Sequence, residues 1–244
     1  LMKSQFLYFP HVKTHALNTE VLMKDEIIKC VQQADHLGLP LGINSEQAAI
    51  ERSINDMKSR LNVIMAEFGS APSCVLNRLF KSFCLSLYGS QMWDYSTNEV
   101  HKLYTSWRVC IRRVWKLPPR THSNLLSNIS SEIYIEQQLH SRFLKSFQGA
   151  LNSENKCIRI SAKSAIGGSC SPTCNTLNLL AYKYGFHKSD LYFSNISHIL
   201  SRIQFIDNSD SQAINDFIIW RDNPTTDHQT RAHLIDIINE LCIM

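Results

Sequence analysis

Six cations fall within one short stretch of the chain: Lys102, Arg108, Arg112, Arg113, Lys116 and Arg120. No acidic residue occurs between Glu99 and Glu132, and three of the four tryptophans, Trp93, Trp107 and Trp115, lie in or beside the same stretch. Basic and aromatic side chains interleaved at helical spacing suit an element that packs on one face and meets a polyanion with the other. Four of the six are arginines, whose planar forks match phosphate geometry better than a lysine point charge does. The same composition also describes an ordinary solvated helix face.

The other chemistry-bearing residues form weaker patterns. Cys170 and Cys174 stand four apart, with His187 downstream. A structural zinc site needs four ligands, and this set supplies two thiols and one histidine, so two thiols in a loop and at a helix start are expected and no metal. His36, His101 and His122 are dispersed and match no triad order, and Asp35 and Asp94 read as isolated carboxylates. Gly167-Gly168 is not followed by a lysine at the spacing of a phosphate-binding loop. The expectation is therefore no catalytic residue and no cofactor.

The elements that position the basic stretch are legible from periodicity. Ile50, Ile54, Met57, Leu61, Ile64 and Phe68 recur at spacings of three and four, with Asn44 and Gln47 as a capping box. Leu76, Leu79, Phe80, Phe83, Cys84 and Leu87 stripe a second helix ended by Gly89. A third begins at a Ser96/Glu99 capping box and carries Val100, Tyr104, Trp107, Ile111 and Val114 inward, stopped by Pro118-Pro119. Arg112 and Arg113 lie off that stripe, so replacing them is expected to leave the fold intact. A fourth helix spans about 131–151, with Ile135, Leu139, Phe143 and Phe147 inward. Beyond the Gly167-Gly168-Ser169 loop, 174–185, 188–206, 210–221 and 229–242 read as shorter helices. Before the helices, 5–9, 27–31 and 36–43 read as strands of a small antiparallel sheet or hairpin pair, with Pro40 favouring an edge.

Charge is unevenly distributed over the 244 residues. The net charge of +4 resolves into zero for 1–96, +5 for 97–151, +4 for 152–206 and −5 for 207–244. A basic middle fits a polyanion partner. Of the 8 cysteines, Cys30, Cys74, Cys84, Cys110, Cys157 and Cys242 have apolar neighbours and read as buried thiols. No secretory signal opens the chain, so a reducing, intracellular setting, nuclear or cytoplasmic, is expected. No apolar run approaches the roughly 20 residues needed to span a bilayer, so no membrane partner is expected. The first residue is Leu, consistent with a fragment of a longer reading frame.

The run LFKSFCLSLYGSQMWDYS, followed by WRVCIRRVWKLPPRTHSNLL, resembles the segment after the palm in reverse transcriptases of non-LTR, LINE-type retrotransposons. HLGLPLG at 36–42 is similar to the family's "YLG" strand near the primer grip. KSQFLYF at 3–9 resembles the end of the palm, where an Asn-x-x-Lys-Ser pattern is usual and Lys3 and Ser4 remain. The resemblance covers residues 1 to about 150 and is most specific over 80–126. The family's polymerase chemistry rests on paired metal-binding aspartates in the palm, and no Asp-Asp pair occurs in this sequence.

The resemblance therefore implies a thumb-like module that grips a template–primer duplex through its backbone and is inactive by itself. Its partners would be an RNA/DNA template–primer duplex, bound weakly and without sequence preference, and the fingers and palm of the polymerase. The expected fold is mainly α, a helical bundle with a small antiparallel β element near the N-terminus. Residues 1–43 would form the end of the palm and a primer-grip-like β element, 44–166 the thumb-like bundle and 167–244 a C-terminal helical region. The expected nucleic-acid-binding residues are Lys102, Arg108, Arg112, Arg113, Lys116 and Arg120. The alternatives are a stand-alone helical protein-interaction module and a non-functional retroelement remnant.

Overall fold

The computed structural model describes residues 6–7, 21–23, 26–28, 30–31, 33–36, 38–42, 44–130, 133–168, 171–193 and 196–203. The chain is mainly α with a small β element near the N-terminus. It divides into two compact units, Leu1–Ser53 and Ile54–Met244. The expected helices at 210–221 and 229–242 lie outside the described residues.

In the first unit the described strands are β1 (Phe6–Leu7), β2 (Val21–Met23), β3 (Glu26–Ile28), β4 (Cys30–Val31), β5 (Gln33–His36) and β6 (Leu39–Gly42). β5 and β6 form an antiparallel hairpin in which Asp35 faces Pro40 and His36 faces Leu39. Gly38 sits in its turn at φ 80, a left-handed conformation that glycine adopts without steric cost. The region 36–43 is thus one arm of the hairpin plus its turn rather than a whole strand. β2 and β3 are antiparallel, whereas β1 pairs β4 in parallel, Phe6 against Cys30. Asp35, read as isolated, receives the Arg52 guanidinium at 3.3 Å, an exposed pair of small energetic weight.

α1 (Ser45–Phe68) carries the division between the units within its length. Its expected capping box does not form in that way: Gln47 donates forward to Glu51 at 3.0 Å, and Asn44 takes a left-handed φ of 55. In the second unit α1 buries Ile54, Met57, Leu61 and Ile64, while Phe68 is exposed. α2 (Ser73–Cys84) ends five residues before Gly89. It buries Leu76, Asn77, Phe80 and Cys84, and Phe83, expected inward, is 59% exposed. A 3-10 turn at Ser90–Met92 leads to α3 (Asn98–Val114), α4 (Leu125–Ser130) and α5 (Ile135–Leu151). α6 (Lys156–Gly167), α7 (Pro172–Tyr184), α8 (Asp190–Phe193) and α9 (Ser197–Ile203) complete the described helices. None of these is long and apolar enough to cross a membrane.

The core of this unit is built where the periodic stripes meet. Val100, Tyr104, Trp107, Ile111 and Val114 from α3, and Ile135, Leu139, Phe143 and Phe147 from α5, are all buried. Phe143 and Phe147 stack at 6.0 Å, and Tyr95 meets Phe143 edge-on at 5.7 Å. Helices α6, α7 and α9 extend the core with Ala162, Ile166, Leu177, Leu180, Ile199 and Ile203.

Two sequence expectations about buried groups are corrected. Asp94 is not isolated. It is 7% exposed and accepts from the Ser96 N–H at 3.0 Å, the Ser96 hydroxyl at 2.5 Å and the Asn175 amide of α7 at 2.7 Å. The turn before α3 is therefore ordered by Asp94 rather than by a Ser96/Glu99 box, and Glu99 pairs with Lys102 instead. Thr176 reinforces the tie, accepting from the Tyr95 N–H at 3.0 Å and donating to the Trp93 carbonyl at 3.2 Å. Of the thiols expected to be buried, Cys84 and Cys110 are, but Cys74 and Cys157 are exposed. Cys74 sits in the first turn of α2 and Cys157 in that of α6, on their outer sides.

Candidate nucleic-acid interface

The α3 helix places its cations on two edges rather than in one patch. At about 100° per residue, Arg108 and Arg112 fall on one side of the outer face and Lys102 and Arg113 on the other, about 110° apart around the axis. Thr105 and Val109 lie exposed between them, Val109 at 47%. The apolar stripe occupies the opposite side, which is why neither edge is buried in the core.

Arg112 has a structural task. Its Nε and a terminal nitrogen donate to the Thr121 carbonyl at 3.0 and 2.8 Å, and the terminal nitrogen also reaches the Ser123 hydroxyl at 3.1 Å. The loop beyond Pro118-Pro119 has lost its helical hydrogen bonds, and the guanidinium supplies donors to a carbonyl there. Partial burial first, and the neighbouring Arg108 second, hold its pKa below the usual arginine value. The expectation that Arg112 can be replaced without structural cost is thus corrected: the side chain pins the 121–123 loop to α3.

The remaining predicted residues stay on the surface. Arg113 donates to Asn62 of α1 at 2.9 Å, and Lys102 lies 3.7 Å from Glu99. Arg120 is exposed on the loop. Lys116 stands just past the end of α3 at φ 54, a left-handed position that usually falls to glycine. The Lys116 N–H bonds the Arg113 carbonyl at 3.1 Å and the Leu117 N–H bonds the Arg112 carbonyl at 2.8 Å. That pairing is a Schellman motif, so α3 terminates before the prolines and does so with a cation at its negative end. Lys58 of α1, close enough to act on the Cys110 thiol, is exposed and adds to the Arg113 edge. Sequence reading passed over Lys58 because it sits on a helix whose charges are mixed.

Arg108 differs from the others. It is half-buried and lines a cavity of about 180 Å³ together with Tyr104, Trp107, Tyr134 and Glu136. Beneath the cavity lies a polar cluster that the sequence did not reveal. His140, 1% exposed, contacts the Tyr184 hydroxyl through Nδ1 at 2.7 Å and the Tyr104 hydroxyl through Nε2 at 3.5 Å. Burial pushes its pKa down to about 4, and Lys183 acts in the same direction while Glu136 opposes. Burial likewise raises the phenols of Tyr95, Tyr104 and Tyr184. His140 follows Leu139 on the inward stripe, and only its distant tyrosine partners make its burial tolerable.

Cys174 is buried at the start of α7, with its thiol directed to the Gly168 carbonyl, while Cys170 lies outside the described residues. Among the described residues no group of three or more histidine, cysteine or acidic side chains is placed to hold a metal ion. No family model matches the chain, and neither does any curated protein or solved structure.

Proposed function

We propose that the helical unit binds the sugar–phosphate backbone of nucleic acid without reading sequence, as the thumb-like part of a LINE-type reverse transcriptase. The observation that carries the reading is the outer surface of α3 and its C-terminal turn. There Lys102, Arg113 and Lys116 are exposed with Glu99 as the one acidic residue of α3 itself. The left-handed Lys116 supports it, since a cation occupies a position where glycine would relieve backbone strain of order 1 kcal/mol. Such rule-breaking concentrates at functional positions. The proposed partners are a template–primer duplex and the catalytic palm and fingers, in an intracellular setting, nuclear or cytoplasmic. The competing reading, a protein-interaction module, draws on Phe83 and Tyr88, 59% and 61% exposed.

The two readings separate by salt. Each phosphate neutralised on duplex DNA contributes about −0.9 to the slope of log K against log salt, so three to four contacts give roughly −3. Replacing Arg113 and Lys116 by Gln should flatten the slope by about 1 to 2 with little effect on helicity, because neither side chain enters the core. Titrations of wild type and double variant at several salt concentrations, with circular dichroism as the folding check, give the answer. An unchanged slope in a folded variant would favour the protein-interaction reading. The chain by itself should not extend a primer on an RNA template with Mg²⁺ or Mn²⁺, because no Asp-Asp pair occurs in it to hold two metals. Metal-dependent extension by the pure protein would contradict this.

A further inference from the structure

A single residue, Arg112, holds the chain at both ends of the turn that follows α3. Its carbonyl accepts from the Leu117 N–H at 2.8 Å. Its guanidinium donates to the Thr121 carbonyl at 3.0 and 2.8 Å and to the Ser123 hydroxyl at 3.1 Å. Between these anchors the Thr121 N–H bonds the Pro118 carbonyl at 3.0 Å, closing a β-turn whose central residues are Pro119 and Arg120. Proline suits the first central position because its φ is already set for it. From the other side the Tyr134 hydroxyl, just before α5, donates to the Ser123 carbonyl at 2.6 Å. Thr121 is 1% exposed, so the base of the turn is buried while Pro119 and Arg120 at its tip are exposed.

These ties exceed what ending a helix requires. The Schellman pairing at Lys116 already satisfies the last carbonyls of α3, and the two prolines prevent its continuation. The Arg112 fork comes at a cost, because it draws a cation partly out of water and beside Arg108, both of which lower its pKa. What the fork achieves is a fixed position for Arg120, four residues after the exposed Lys116 and seven after the exposed Arg113. A cation held in place beforehand loses less conformational freedom on meeting a phosphate than one on a loose loop. No acidic side chain in the turn competes with a phosphate, since none occurs between Glu99 and Glu132.

We propose that the 116–123 turn is a preformed phosphate-contacting arm, with Arg120 as the contact and Arg112 and Tyr134 as the positioning residues that hold it. This role rests on the backbone-binding reading of the helical unit and extends it: the arm fits a duplex backbone whose phosphates are met by Arg113, Lys116 and Arg120 together. Arg112 contributes through geometry, because its own fork is committed to Thr121 and Ser123.

A double-mutant cycle on the full chain tests the arm, with duplex DNA titrated at several salt concentrations and circular dichroism as the folding check. Arg120→Gln should flatten the slope of log K against log salt by about 0.9, the share of one phosphate. Arg112→Lys keeps the charge and loses the fork. It should weaken binding about five- to tenfold at fixed salt and leave the slope within about 0.3 of wild type, because an ordering cost releases no counterions. With Arg120→Gln already in place, Arg112→Lys should weaken binding by less than about twofold further. Tyr134→Phe removes one hydrogen bond and no charge; it should act in the same sense, and it replaces Arg112→Lys if that variant does not fold. Trypsin reads the clamp without nucleic acid: the Arg120–Thr121 bond should be cut at least about fivefold faster in the folded positioning variants than in wild type. Unchanged affinity or unchanged cleavage in those variants would overturn the proposal, as would equal losses from Arg112→Lys with and without the Arg120 side chain. A wild-type chain without salt-dependent binding would overturn the backbone-binding reading and the arm with it. A wild-type slope of roughly −3 with additive effects in the cycle would overturn the arm alone.

Discussion

Truncation of Trp107 to alanine is expected to destabilise the helical unit by about 3–5 kcal/mol, the usual range for removing a large aromatic from a core. The indole is 1% exposed and meets the Tyr134 ring edge-on at 5.9 Å. Its N–H has no partner, so the loss is one of packing and cavity formation rather than of a hydrogen bond. Trp107→Phe should recover much of the loss, since it retains a ring at the α3–α5 seam. Urea unfolding followed at 222 nm provides the measurement, and a cost below about 1 kcal/mol for the alanine variant would show that the seam collapses around the vacancy.

Acidification is the second large effect. His140 is neutral in the fold, with its pKa pushed from 6.5 down to about 4, so at intermediate pH the unfolded chain binds one more proton than the folded one. Stability attributable to this residue is complete above pH 6.5 and is lost as pH falls toward 4, because protonation then favours the unfolded state. Over that window the loss approaches about 3 kcal/mol, at 1.36 kcal/mol per pKa unit. The groups acting on the ring include the Tyr184 and Tyr104 hydroxyls, Glu136 and Lys183, and none of them converts the window into a stabilising one. Unfolding free energies measured between pH 4 and 7 should therefore rise with pH, and His140→Gln should remove most of that rise. A wild-type profile as flat as that of the variant would contradict the assignment.

The sequence made the inward residues of α3 and α5 legible, because a stripe at spacings of three and four has one physical explanation in a soluble helix. Val100, Trp107, Leu139 and Phe143 are buried accordingly. It did not reveal α6, whose stripe is thin: Ala162 and Ile166 are buried while Ile158 and Ile160 are about half exposed. It also could not distinguish Arg112 from Arg113. They are neighbours in the chain, yet one bonds a carbonyl nine residues on across a double proline and the other bonds Asn62 on another helix. Periodicity places both outside the core and says nothing about acceptors supplied by irregular backbone. The same limit hid Asp94, whose partner Asn175 is 81 residues away, and His140, whose partner Tyr184 is 44 away. The basic stretch was visible as composition, but its partition into two edges and one cavity depends on contacts of that kind.

Burial sorts the thiols of the helical unit into two chemical populations. Cys84 and Cys110 both have pKa values pushed up to about 11, chiefly by desolvation, so at neutral pH they are almost entirely thiols and poor nucleophiles. Cys74 and Cys157 are exposed at the starts of α2 and α6. Maleimide at pH 7 should therefore modify Cys74 and Cys157 in the native protein well before Cys84 and Cys110, as peptide mapping would show; early labelling of Cys84 or Cys110 would contradict it. These two exposed sulfurs are ready-made attachment points for spin labels or fluorophores, giving a distance ruler across the helices without introducing a new cysteine.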